Sequence, residues 1–145
     1  MNKEVEESGR FMTTILDPHI KVTNDYFVYA DGQDLEKEST SENVNSIFVK
    51  NPAGDADFEG DCWPGNTVWI DFLNENAQKY WAGLYDYKKF VGSTKIYHAW
   101  NDMNEPSVFS EDSKTIPTTA KHIRANGEIV EHREFHNAYG ATQQR

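Results

Sequence analysis

Three acids stand where a short apolar run gives way to polar residues with a proline close behind. Asp102 and Glu105 lie in Trp100-Asn101-Asp102-Met103-Asn104-Glu105-Pro106, and Asp17 lies in Leu16-Asp17-Pro18-His19. Two carboxylates facing one sugar are the equipment for cutting a glycosidic bond. One attacks the anomeric carbon as the ionised nucleophile and the other, protonated, donates to the leaving oxygen, about 5–5.5 Å apart when configuration is retained. Spacing alone does not choose between an Asp102–Glu105 and an Asp102–Asp17 pair. Two acids in one loop crowd towards one side of the sugar, so a second acid from another strand end is the more credible geometry, and its identity stays open. The plainer reading of either acid is a solvated turn after a strand. Trp63, held in Cys62-Trp63-Pro64-Gly65, and Trp100 could wall a sugar pocket, because an indole covers the flat apolar face of a pyranose. Trp69 and Trp81 read as core.

Two other clusters suggest metals and are better explained without them. Asp55-Ala56-Asp57-Phe58-Glu59-Gly60 resembles the opening of a calcium loop, but the twelfth position, which needs a bidentate glutamate, is Asn66. His132 and His136 have the i,i+4 spacing of a zinc pair, yet Arg133 follows the first histidine where a metalloprotease has glutamate. Imidazoles hydrogen-bonding near a helix start are the expectation there, with no metal and no cofactor.

The elements that must position these groups follow from apolar pattern and punctuation. Residues 2–8 are charged and helix-permissive, with Gly9 placed to end a helix. Residues 11–16 and 96–100 are apolar and of strand length. Asn74 can cap a helix reaching about Tyr87, with Ala77, Tyr80, Trp81 and Leu84 on its apolar stripe. Between Ile20 and Phe72 no helix of useful length is convincing, with short strand-like pieces at 26–29 and 46–49. After Phe109 loop is expected until Glu131, where another helix can begin. Proline disfavours helix at Glu105, so the Asn101–Glu105 knot is expected to be extended loop. Strand, long excursion, helix, strand reads as a crossover between parallel strands in an α/β fold.

The chain has 145 residues, with 14 Lys plus Arg against 24 Asp plus Glu, a formal net charge of −10. That length suits one domain. An acidic surface does not suit nucleic acid, whose phosphates call for a basic face. No apolar run approaches a membrane span and no signal peptide opens the chain, so no membrane association is expected. Cys62 is the only cysteine, so no disulfide forms within the chain.

Residues 100–109, Trp-Asn-Asp-Met-Asn-Glu-Pro-Ser-Val-Phe, resemble the signature of glycoside hydrolase family 31, the retaining α-glucosidases, most closely its glucosidase II and neutral α-glucosidase branch. The likeness extends over roughly residues 9–140. It takes in Ile15-Leu16-Asp17-Pro18-His19, Gly60-Asp61-Cys62-Trp63-Pro64-Gly65, Glu131-His132-Arg133 and Tyr139-Gly140. The resemblance implies a partial (β/α)8 TIM barrel of about two β/α units, with a long irregular loop after the first strand. It implies Asp102 as the catalytic nucleophile, and Ile15, Asp17, Trp63, Trp100 and Met103 as the lining of the subsite for the terminal glucose. It further implies an α-glucoside or glucosylated N-glycan as substrate, the endoplasmic reticulum lumen as location, and the regulatory β subunit of glucosidase II as possible partner.

In the family the acid/base aspartate comes from a later strand. The chain is therefore expected to be an internal segment, 1–145, of a catalytic barrel that takes about 250 residues, and inactive by itself. Two alternatives stand beside this: a non-catalytic acidic module binding calcium through Asp55–Asp61, and a degenerate glycosidase that has lost the acid/base.

Overall fold

A computed structural model describes residues 2–144. The strands and helices in chain order are α1 (Asn2–Glu7), β1 (Met12–Leu16), β2 (His19–Lys21), α2 (Phe27–Lys37), β3 (Gly60–Cys62), β4 (Gly65–Trp69), α3 (Glu75–Gly83), β5 (Tyr97–Asn101), β6 (Lys121–Ile123), β7 (Ile129–Glu131), α4 (His132–Phe135) and α5 (Tyr139–Gln143). A single turn of 3-10 helix, His136–Ala138, joins the last two.

The apolar runs at 11–16 and 96–100 form the strands expected of them. β1 and β5 pair in parallel, with Ile15 opposite Trp100 and Leu16 opposite Asn101. Parallel neighbours need a long crossover, and here it carries β2, α2, β3, β4 and α3. β2, β4 and β3 form an antiparallel sheet in that order. The segment after β5 turns back through the β6–β7 hairpin into α4 and α5. The architecture is thus two β/α units with an antiparallel insertion after the first strand, the arrangement expected of part of a barrel.

The core lies between the antiparallel sheet and the helices, not behind the parallel pair. Trp69, Phe48, Phe72, Ile70 and Tyr139 are fully buried, each worth on the order of 2 kcal/mol of apolar transfer. Phe72 touches Trp81 of α3 at 5.6 Å and Tyr139 of α5 at 5.1 Å between ring centres. Trp69 and Trp81 are core residues, as their pattern suggested. Asn74 caps α3 by accepting from the backbone N–H groups of Asn76 and Ala77 at 2.8 and 3.1 Å.

Four expectations need correction. Residues 26–29 are not strand-like: they start the eleven-residue α2. Its N-cap, Tyr26, makes no capping hydrogen bond, and Asp31-Gly32 in mid-helix is poor helix chemistry. Packing overrides both. Gly32 lies under the ring of Phe48, where an added Cβ would meet Cζ at 2.6 Å. The Glu36 carboxylate accepts from the N–H groups of Ile47 and Phe48 at 2.7 and 2.9 Å and from Lys50 at 2.8 Å. Second, α3 ends at Gly83 rather than near Tyr87, and successive turns carry the chain on. Third, residues 121–131 are a β-hairpin rather than loop. Fourth, the Asn101–Glu105 knot is not extended. Ser107 N–H donates to the Met103 carbonyl at 3.0 Å across a turn, Met103 has φ 53°, and the Glu105–Pro106 bond is cis.

Candidate active site

The ends of β1 and β5 carry the candidate chemistry. Asp102 N–H donates to the Leu16 carbonyl at 3.0 Å, which extends the parallel ladder one residue past β5. Side chains alternate along a strand. Ile15 and Asp17 therefore share a face with Trp100 and Asp102, across the Ile15–Trp100 register. Ile15 and Trp100 are 52% and 56% exposed on that face. Asp102 is half-buried, and one carboxylate oxygen, Oδ1, accepts from Met103 N–H at 2.9 Å.

Asp17 is held differently. Its Oδ2 lies 3.5 Å from His19 Nε2, while Oδ1 is buried with no hydrogen-bond partner among the described residues. Burial pushes its carboxyl above the usual range, the His19 ring opposes that, and the charges of Asp102 and Glu105 push it higher. The last two influences place the three acids within electrostatic reach of one another. His19 itself is drawn below the usual imidazole value by burial, partly offset by Asp17.

Trp63 occupies the two-residue turn of the β3–β4 hairpin, closed by Gly65 at φ 95°. The hairpin is docked on the segment that follows Asp102. Phe109 N–H donates to the Asp61 carbonyl at 2.7 Å, Asp61 N–H donates to Ser110 Oγ at 2.9 Å, and the Trp63 and Phe109 rings meet edge to face at 4.8 Å. Trp63 is nonetheless 70% exposed. It lines, with Ile15, Asp17, His19 and Phe27, a cleft of about 860 Å³. Ile15, Asp17 and Trp63 thus share one cleft. Asp102 and Trp100 are on the adjoining strand face, and Met103 is half-buried with its side chain packed on the core.

Sequence reasoning assigned no role to His19, although its place two residues after Asp17 at a strand end was available as a signal. It also missed His122, because the surrounding residues read as loop. His122 belongs to a buried chain: Asp71 Oδ1 to His122 Nδ1 at 2.7 Å, His122 Nε2 to His132 Nδ1 at 2.9 Å, and His132 Nε2 to His136 Nδ1 at 3.0 Å. Burial and the neighbouring charges of His122 and His136 push His132 down to about 3. Imidazoles bonded near a helix start are what the His132/His136 spacing suggested. These bonds fix α4 against the residues following β4.

The calcium-like run is engaged otherwise. Asp57 binds Lys50 at 2.5 Å and accepts from Gln33 at 2.6 Å, Asp55 accepts from Asn51, and Glu59 accepts from Asn66. Gly60 opens β3 rather than a helix. Among the described residues no group of three or more His, Cys, Asp or Glu could hold a metal.

Comparison with known proteins shows the family. Residues 1–145 match the glycosyl hydrolases family 31 TIM-barrel domain. The chain is 46% identical over 140 residues, 97% of its length, to a probable glucan 1,3-alpha-glucosidase of Arabidopsis thaliana. It is 42% identical over 99% of its length to neutral alpha-glucosidase C of Mus musculus. Among solved structures it resembles a glucosidase II alpha subunit with DNJ bound, at a TM-score of 0.81 and 41% identity over 99% of its length. The chain spans 14% of the length of each of these three. This chain belongs to glycoside hydrolase family 31 and is part of that family's TIM-barrel domain.

Proposed function

We propose that the chain supplies the nucleophile and part of the glucose subsite of a retaining α-glucosidase. The observation that carries the reading is the parallel alignment of β1 and β5, which sets Asp17 and Asp102 side by side past the strand ends. Enzymes built on this barrel place their reacting groups at those ends. In this reading the Asp102 carboxylate attacks the anomeric carbon and forms a glycosyl-enzyme, which water then hydrolyses. Asp17 shares the face of Asp102, so it is not set to protonate the leaving oxygen from the opposite side of the ring. Its role is to accept hydrogen bonds from sugar hydroxyls through the accessible part of its carboxylate, Oδ1 being enclosed. The proton donor belongs to another segment of the whole protein. Ile15, Trp63, Trp100 and Met103 complete the apolar lining of the subsite.

The substrate class is a terminal α-linked glucose, as on an oligosaccharide or a glucosylated N-glycan, with no metal or cofactor. Lumenal residence in the endoplasmic reticulum and pairing with a regulatory subunit belong to the same proposal. They are supported by the likeness to a catalytic subunit whose structure was solved with the binding domain of its regulatory subunit. The test is Asp102→Ala in the whole protein. Turnover of an aryl α-glucoside falls at least a thousandfold while the circular dichroism spectrum and melting temperature hold. Near-normal turnover refutes the assignment.

A further inference from the structure

We infer that Gly140 is a positioning residue for the nucleophile: it seats Asn104, two residues past Asp102, against the first turn of α5, and the absence of a side chain there sets where the Asp102 carboxylate lies. This rests on the proposal that Asp102 is the nucleophile.

A Cβ at Gly140 would lie 2.8 Å from the Asn104 carbonyl oxygen, 3.0 Å from its Cγ and 3.1 Å from its Nδ2. The first of these is a backbone atom, so rotating the Asn104 side chain does not relieve it. The helix side of the contact is held, and so is the loop beyond Asn104. On the helix side, the neighbouring Tyr139 is fully buried. Its hydroxyl donates to the Ile70 carbonyl at 2.8 Å, and its ring packs on Phe72 and Phe135. Behind it, the Asp71–His122–His132 bonds tie α4 to the end of β4. On the loop side, Thr115 Oγ1 donates to the Pro106 carbonyl at 2.6 Å and Val108 is fully buried, which holds the chain beyond Asn104.

The remaining freedom lies in Met103 and Asp102. Met103 already holds a left-handed backbone at φ 53°, a conformation that costs about 1 kcal/mol or more for a residue with a side chain. Its N–H is the donor that orients Asp102 Oδ1. A methyl group at Gly140 therefore displaces Asn104 and Met103 by several tenths of an ångström and re-aims the nucleophile. Misplacements of this size cost roughly ten- to hundredfold in rate when reacting atoms must meet at about 3 Å.

The experiment compares Gly140→Ala with wild type in the whole protein, using Gly83→Ala as control, since a Cβ at Gly83 meets nothing within 4 Å. Active sites are counted by titration with a fluoroglucosyl fluoride that traps the glycosyl-enzyme, so loss of folded protein does not pass for loss of rate. The expected result for Gly140→Ala is kcat per titrated site lowered about ten- to hundredfold, with KM within threefold of wild type and slower trapping. Gly83→Ala keeps the wild-type kcat. Normal kcat per site in Gly140→Ala, or a raised KM with normal kcat, overturns the inference. Should Gly140→Ala not fold, Asn104→Ala decides. Removing Cγ and Nδ2 loosens the same seat, and kcat falls at least fivefold at unchanged KM, whereas an unchanged kcat overturns it. An active wild type with a dead Asp102→Ala and a normal Gly140→Ala sinks the positioning role alone. A normal Asp102→Ala sinks the functional reading itself.

Discussion

Asp17→Asn separates binding from stability in opposite directions. The wild-type carboxylate keeps one oxygen buried and unpartnered among the described residues, beside the charges of Asp102 and Glu105. Ionising it in the folded protein is therefore unfavourable, which is the meaning of its raised pKa. A carboxyl whose folded pKa exceeds its unfolded value destabilises the fold once pH rises through that range. At neutral pH the amide removes both the burial cost of the charge and the like-charge repulsion, so the melting temperature rises. If the Asp17 carboxylate is there to take a sugar hydroxyl, the same change leaves a neutral amide oxygen, a weaker acceptor. The difference between a bond to a charged and to a neutral acceptor is about 1–1.5 kcal/mol. At 1.4 kcal/mol per factor of ten, that weakens a glucose-like iminosugar by roughly five- to tenfold. The assay is calorimetric titration of the iminosugar alongside differential scanning calorimetry at pH 7, on whole protein of either sequence. Iminosugar affinity within twofold of wild type, or a lowered melting temperature, refutes the reasoning.

Trp63→Ala leaves the melting temperature nearly unchanged, because the ring is 70% exposed, but weakens the iminosugar about fivefold, on the order of 1 kcal/mol of aromatic contact. Unchanged inhibition counts against its place in the subsite. His132 gives a pH dependence. Its folded pKa of about 3 lies below the unfolded value near 6.5, so on acidification the unfolded chain takes a proton that the folded chain refuses. Stability falls between those values by up to about 1.4 kcal/mol per pH unit. The melting temperature of wild type accordingly drops more steeply from pH 7 to 5 than that of His132→Asn, and parallel curves refute the assignment. Gly32→Ala lowers the melting temperature, because its methyl meets the Phe48 ring at 2.6 Å; overpacking of this kind costs about 1–3 kcal/mol. A melting temperature equal to wild type shows the ring to be free to move.

The parts of the fold legible in the sequence are those where local pattern and tertiary packing agree. The strands at 12–16 and 97–101 and the Asn74-capped α3 are of this kind. α2 was not legible, since its sequence argues against a helix at Asp31-Gly32. The reason for the glycine, the Phe48 ring, lies sixteen residues away. The β6–β7 hairpin was hidden for a similar reason. Its strands are three residues each, too short for an alternation to stand out. The knot after Trp100 misled because the proline rule restricts only Glu105, whereas the turn is made by Met103 at φ 53° and the Ser107 N–H bond to its carbonyl. Residue type and context gave acids at strand ends and Trp63 and Trp100 as pocket walls, while Asp102 as nucleophile and Ile15 and Met103 as lining came from family likeness. What the fold adds is their common face, a consequence of register that no linear spacing carries.

The buried mass and the candidate site lie in different parts of the described structure. The buried aromatic residues cluster around Trp69, Phe72 and Tyr139, in the antiparallel insertion and α3–α5, which together support the ends of β1 and β5. The support reaches the strand ends through two contacts of different kinds. One is the β3–β4 hairpin bonded to Phe109 and Ser110. The other is the glycine of α5 pressed on Asn104. The glycine contact meets the chain two residues past Asp102, and the hairpin contact seven and eight residues past it, so the glycine contact is the one through which a change in the support displaces the proposed nucleophile most directly.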